Sequence, residues 1–149
     1  MDTTFRNRFR KQTLKRITAD SYAQGTTEHS QQVALFMWAQ DNVQWYPCLR
    51  WMFAIPNGGL RDHVTASILK AEGVKRGVAD IYLPYAVGSY HGLFIEMKRP
   101  KKSSTSNEQD EFKQWCDLNR FAHVKCNKFE FAKQSILNYL HHADKTVNK

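Results

Sequence analysis

No stretch of this 149-residue chain approaches the ~20 consecutive apolar residues of a membrane-crossing helix, which excludes a helical membrane protein. The opening Met1-Asp2-Thr3-Thr4-Phe5-Arg6 lacks the basic-then-apolar layout of a secretory signal, so an intracellular protein is the simplest expectation. Cysteine is scarce: Cys48, Cys116 and Cys126 are odd in number, far apart and form no CxxC pair. Neither a zinc ribbon nor a disulfide framework fits that pattern, and each thiol reads as a small apolar filler. The six histidines show no HxxxH spacing. Internal repeats and low-complexity blocks are lacking, which argues against a solenoid. Acidic residues are also in short supply, fourteen against twenty-two Lys and Arg.

What is present is enough for one core. The length and a hydrophobic fraction of 42% suit a single globular domain. The resulting charge of +8 favours a polyanionic partner, and nucleic acid is the commonest. Charge alone does not separate an enzyme from a binding module. Residues 1–25 concentrate Arg6, Arg8, Arg10, Lys11, Lys15 and Arg16 and read as a basic arm, either ordering on a partner or solvated. The domain proper is expected over 26–142, with a tail over 143–149.

Thr26 and Thr27 are good caps for a helix starting near Glu28, with Val33, Phe36, Met37 and Gln40 at inward spacing. Leu49 to Ile55 reads as a strand ended by Pro56 and the turn Asn57-Gly58-Gly59. A helix over 60–72 follows, with Val64, Ile68 and Leu69 inward and Gly73 as its stop. Ala79–Pro84 and His91–Lys98 form an antiparallel hairpin across the short connection Ala86-Val87-Gly88-Ser89. A helix over 108–119, a strand over 122–126 and a helix over 129–140 complete the chain. The last strand-helix-strand unit requires a parallel pairing. The fold class is therefore α/β, a mixed sheet flanked by helices. Trp38, Trp45, Trp51 and Trp115 are assigned to core or rim packing.

Side chains two apart on a strand share a face, so Glu96 and Lys98 point together, away from Leu93, Ile95 and Met97. A lone E-x-K is most often a charge-compensated solvent face. Asp80 changes the weighing. If the hairpin is centred on Gly88, residues whose numbers sum to 176 lie opposite, and Asp80 faces Glu96. Two facing carboxylates repel unless a cation lies between them, and hard oxygen donors suit Mg²⁺. A lysine beside such a cation can stabilise charge at phosphorus, or help position and deprotonate a water. Hydrolysis of a phosphodiester needs those functions.

Gly77-Val78-Ala79-Asp80, a hydrophobic hairpin, then Leu93-Phe94-Ile95-Glu96-Met97-Lys98 resembles the PD-(D/E)XK nuclease core. More narrowly the chain is similar to the VRR-NUC family. Glu28 and Gln32 match that family's Glu and Gln in the first helix, and Asn57-Gly58-Gly59 with Arg61 match its N-G-G turn and Arg. Gly73, Gly77 and Asp80 match G-x-x-x-G-x-x-D; Glu96, Lys98 and Pro100 match E-x-K-x-P; Ser106 and Gln109 match the Ser and Gln beyond the loop. The match spans about Glu28 to Leu140 in order. Ala79 departs from the proline that many relatives carry before the acid, a change that leaves the ligating acid in place.

The resemblance implies a restriction-endonuclease-like core of the αβββαβ type. It implies Asp80, Glu96 and the backbone carbonyl of Met97 as ligands of Mg²⁺ or Mn²⁺, and Lys98 as base or electrostatic helper. Glu28 would join directly or through water, and Gln109 would orient the lysine, water or phosphate. Gln32 is a supporting residue. Asn57, Gly58, Gly59, Arg61, Lys75, Arg76, Arg99, Lys101 and Lys102 are the candidate DNA contacts, the Asn57-Gly58-Gly59 turn through backbone N–H groups and the cations on phosphates. Stand-alone members, often phage-borne, resemble homodimeric junction-resolving enzymes, whereas larger eukaryotic relatives carry the domain in a DNA-repair nuclease associated with Fanconi anaemia. The expectation is a metal-dependent, structure-selective DNA endonuclease, a homodimer cutting four-way junctions in the cytoplasm of a bacterial or phage-infected cell. With no separate DNA-binding domain read in the chain, dimerisation and the basic arm are expected to supply grip. A flap or general structure-specific nuclease is the nearest alternative. A non-catalytic DNA-binding module and an RNA-processing nuclease are the other classes.

Overall fold

The computed structural model describes residues 18–57, 63–99 and 105–142. Most of the expected basic arm, together with Gly58, Gly59, Arg61, Pro100, Lys101 and Lys102 and the tail over 143–149, lies outside the described residues.

Among the described residues five α-helices and four strands follow one another as α1 (Ala19–Ala23), α2 (Glu28–Asp41), β1 (Phe53–Ala54), α3 (His63–Ala71), β2 (Ile81–Leu83), β3 (Leu93–Met97), α4 (Asn107–Leu118), β4 (Ala122–Cys126) and α5 (Phe129–His141). The sheet runs β1-β2-β3-β4. Its first two pairings are antiparallel and β3 pairs with β4 in parallel, which makes the mixed, helix-flanked α/β architecture expected from the pattern of elements. Among the described residues no helix is long and apolar enough to cross a membrane.

The hairpin carries the site, and its register is decided by alternation. Ile81 pairs with Ile95, Tyr82 with Phe94 and Leu83 with Leu93, so paired numbers sum to 176 as the hairpin arithmetic requires. A slip of one residue would turn fully buried Ile81, Leu83, Leu93 and Ile95 out to the opposite face. The tip is the two-residue turn Gly88-Ser89 inside a Val87–Tyr90 bridge, with Gly88 at φ +58°. Gly92 opens a different gap: a Cβ there would lie 2.4 Å from the Tyr82 hydroxyl, so the ring lies across bare backbone.

One sheet face meets α2 and α5 in a core of Ala34, Leu35, Ile81, Leu83, Ile95, Phe129, Ala132 and Ile136, all essentially inaccessible to solvent. On the other face Tyr82 stacks on Phe94 with centroids 4.3 Å apart, and Phe94 meets Phe112 of α4 edge-on at 5.1 Å. Asp80, Glu96 and Lys98 alternate onto this second face.

Several expected details differ. The Leu49–Ile55 strand shrinks to Phe53–Ala54, because Pro47 opens a 3₁₀ turn over Pro47–Trp51 that buries Leu49. Pairing does continue past Ala54, since the Ile55 N–H donates to the Asp80 carbonyl at 2.7 Å. In α2 the buried stripe is Gln31, Ala34, Leu35, Trp38 and Ala39; of the expected residues Phe36 packs half-buried against that core, Val33 and Met37 are half-buried, and Gln40 is exposed. The two alanines let the helix approach the sheet closely. The apolar residues Val64 and Ile68 of α3 are not inward but 70% and 52% exposed. Gly73 does stop α3: at φ +98° it donates to Lys70, and Val74 donates to Leu69, which is a Schellman closure. The fold also reaches back before residue 26, for Ala19, Tyr22 and Ala23 of α1 pack against the core.

Candidate active site

Asp80 sits one residue before β2, anchored by its carbonyl to Ile55, just past β1, and by its side chain to β3. Its Oδ2 accepts the Met97 backbone N–H at 2.8 Å. Continued by one residue, the hairpin register puts Asp80 beside Glu96. Glu96 is only 4% exposed and pairs with Lys98 at 2.8 Å. Lys98 Nζ also donates to Gln109 Oε1 at 2.7 Å. The Gln109 amide nitrogen donates in turn to Glu96 Oε1, closing a three-residue ring.

Gln109 reaches that ring because of how α4 begins. Ser106 caps the helix, accepting from the Gln109 N–H at 3.3 Å, and Gln109 Oε1 accepts from the Ser106 N–H at 3.2 Å. This is a capping box, with Gln at its third helical position. The amide oxygen thus faces two donors, Lys98 and Ser106, and the amide nitrogen faces the carboxylate, the one orientation that satisfies all three. The loop before Asp80 presses on the same helix end. Gly77, at φ +83°, lies so close that a Cβ would sit 2.6 Å from the Glu108 backbone.

The electrostatics are those of crowded acids. Burial first, then the charge of Glu96, pushes the Asp80 carboxyl up to about 7, with Glu28 adding to the rise and the Met97 N–H and Lys98 opposing it. Burial also raises Glu96, resisted by Lys98 through its hydrogen bond and charge and by Lys125, and assisted by Glu28. Glu28, half-buried at the start of α2, therefore sends its field into the pair of acids. Among the described residues no three His, Cys, Asp or Glu side chains converge as a ready-made metal cage. The donors that do converge are two carboxylates whose mutual repulsion a hard cation would relieve, beside the backbone of Met97. That set fits Mg²⁺ or Mn²⁺, which fill their remaining positions with water and phosphate oxygens.

The other candidates separate into three groups. Asn57 does not offer its side-chain amide to a phosphate: Nδ2 donates to the Val78 carbonyl at 2.7 Å and to that of Ala79 at 3.3 Å, bracing the residues before Asp80. Lys75 and Arg76 are exposed and, with Asn57, Glu108 and Glu111, line an open groove of about 1120 Å³. Arg99 is exposed beside Lys98, and Gln32 is half-buried on α2, one turn from Glu28. Gly58, Gly59, Arg61, Lys101 and Lys102 fall outside the described residues.

Two functional-looking residues escape a reading by motif. Gln31, 3% exposed, donates to the Ala23 and Gly25 carbonyls at 2.8 and 2.6 Å and accepts from the Phe129 N–H at 2.7 Å, pinning the start of α2 to the start of α5. Lys125 pairs with Glu96 in the β3–β4 ladder. Its only sequence signal is the parallel pairing itself.

No family model matches the chain, and no curated protein matches it. Among solved structures, a chain described as a "VRR_NUC domain protein" is similar, with a TM-score of 0.65 and 25% identity over 78% of this chain and 89% of that one.

Proposed function

From this chain's VRR-NUC fold and the way its acids and lysine meet, we propose that it is a divalent-metal-dependent DNA endonuclease. One observation carries the reading: Asp80 and Glu96 lie side by side across the hairpin, and Gln109 ties Glu96 to Lys98 on the same sheet face. Buried acids held together at a cost in stability point to a site rather than to a solvent face.

Asp80, Glu96 and the Met97 carbonyl would hold the metal, and Glu28, whose charge acts on both acids, would join directly or through water. When bound, Mg²⁺ or Mn²⁺ supplies a lowered pKa to water and neutralises charge on the phosphate. Lys98 donates to Glu96 and to Gln109, and its remaining donor would hold positive charge at a phosphate oxygen or orient the attacking water. Gln109 keeps that ammonium aimed. Asn57 and Gly77 keep the Asp80 loop seated against β1 and α4. Water adds to phosphorus and releases one proton to solvent, the bond to the leaving oxygen breaks, and that oxygen takes up a proton from solvent.

Branched DNA, with a four-way junction foremost, is the proposed substrate, cut by a homodimer whose two sites face the two strands. Val64 and Ile68, exposed on α3, are apolar surface that a second copy would cover. Cleavage of plasmid, flap, duplex and four-way junction DNA and of an RNA junction in Mg²⁺, Mn²⁺ and EDTA, with Lys98→Ala beside wild type, tests the reading. Metal-dependent nicking that Lys98→Ala loses supports it. Tight binding with no cutting in any metal would make the chain a binding module, and cutting of RNA junctions alone would make it an RNA-processing enzyme.

A further inference from the structure

Lys125 belongs to no motif, yet the ladder places it in the site. β3 and β4 run parallel with Glu96 opposite Lys125, so both side chains project from the same sheet face. Neighbouring strands lie about 4.8 Å apart. Lys125 is therefore the residue that the ladder sets beside Glu96 on the side away from Asp80. β4 is the last strand of the sheet, and Lys125 is exposed. Its charge is felt by Glu96 and also by His123, two residues earlier on the same strand.

The two lysines beside Glu96 differ in what occupies them. Lys98 already gives two of its three donors to Glu96 and Gln109. Lys125 makes no ion pair or hydrogen bond among the described residues, so its ammonium is available to a ligand. Lysine on an edge strand often serves only to block strand-to-strand aggregation. That role requires no particular register, whereas here the lysine falls opposite the buried acid of the site.

We propose that Lys125 forms a phosphate-binding subsite of the catalytic centre, holding a DNA backbone phosphate next to the one that is cut. The strand would then cross the site from the Asp80 side towards the β4 edge. This proposal rests on the nuclease reading above and adds the path of the substrate strand.

The test is equilibrium binding of a fluorescein-labelled four-way DNA junction and a linear duplex, in EDTA and in CaCl₂, over a series of KCl concentrations. Lys125→Gln is expected to weaken binding about three- to tenfold, the scale of one exposed charge-assisted contact. The slope of log K against log salt should fall by about 0.9, the share of one phosphate. Lys125→Arg should restore both, and melting temperature should not move. Lys113→Gln is the control, because Lys113 is already answered by Asp117 at 2.6 Å. In cleavage assays the Lys125→Gln loss should fall on KM more than on kcat. An unchanged affinity and salt slope for Lys125→Gln, with wild type binding normally, overturns this proposal alone. Wild type that binds neither DNA in either buffer overturns the nuclease reading with it.

Discussion

The Met97 backbone N–H donates to Oδ2 of Asp80 at 2.8 Å, and this bond joins the two strands of the hairpin through a side chain of the site. It holds the Asp80 carboxylate against β3, beside Glu96, where burial and like charge would otherwise drive the two acids apart. The arrangement is costly without a cation, and its costs are measurable.

The first measurement concerns stability against pH in EDTA. Asp80 has an ordinary value of 3.8 and is raised to about 7 by burial and by Glu96. A carboxyl with a raised native pKa binds its proton more tightly when folded. Its contribution to stability is complete below the unfolded pKa and is lost as pH climbs towards 7. His123 acts with the opposite sign: burial lowers its pKa from 6.5, so its contribution is present above 6.5 and is lost as pH falls. The informative quantity is therefore the difference between wild type and Asp80→Asn. That difference should grow in favour of the variant between about pH 4 and pH 7, reaching a few kcal/mol in order of magnitude. Mg²⁺ should restore wild-type stability at neutral pH and leave Asp80→Asn little changed. Parallel melting profiles for the two proteins would contradict this account.

The Lys98–Gln109–Glu96 ring makes a prediction about coupling. Lys98→Ala should lower kcat by about 10²- to 10³-fold, the usual cost of one preorganised charge donor. Gln109→Ala should cost less, since it misaims the ammonium without removing it. The double variant should be little worse than Lys98→Ala, because the two act as a unit. Additive losses in single-turnover cleavage would show that Gln109 works independently.

Asn57 separates a bracing role from a DNA contact. Asn57→Ala deprives the Val78 and Ala79 carbonyls of their donor, at roughly 1–3 kcal/mol. Chemical denaturation should show that loss, while the salt dependence of DNA binding stays at the wild-type slope. A reduced slope with unchanged stability would return Asn57 to the DNA interface.

Gly77 tests the seating of α4. Gly77→Ala meets both a left-handed backbone, worth about 1–2 kcal/mol, and the Glu108 backbone 2.6 Å away. The melting temperature should fall, and kcat should fall with it as the helix end carrying Gln109 is displaced. Gly73→Ala shares the backbone penalty, but its Cβ meets nothing within 4 Å, so it should lose stability with little change in kcat. Equal kcat losses in the two variants would remove the argument that Gly77 positions the site.

Much of the site was legible because its parts are local or follow a short hairpin. A strand's period of two places Glu96 and Lys98 together, and a hairpin whose buried rungs tolerate no slip brings Asp80 across to them. The helix ends at Glu28 and Gly73 could be read from capping chemistry. What alternation could not show was which apolar residues pack. Val64 and Ile68 have the spacing of an inward face yet are exposed, since periodicity names a face and only packing covers it. A run rich in β-formers, Leu49 to Ile55, gave its first three residues to a 3₁₀ turn that buries Leu49 and kept only Phe53–Ala54 as strand.

The sequence by itself determined the pair of acids and the lysine, because both depend on strand periodicity and on one short loop. Only the tertiary structure decided that Asn57 braces the Asp80 loop, that Gln109 closes a ring with Glu96 and Lys98, and that Lys125 lies beside them. Those relationships join residues eleven or more positions apart through crossovers and helix seating, and no local pattern in the chain encodes the distances.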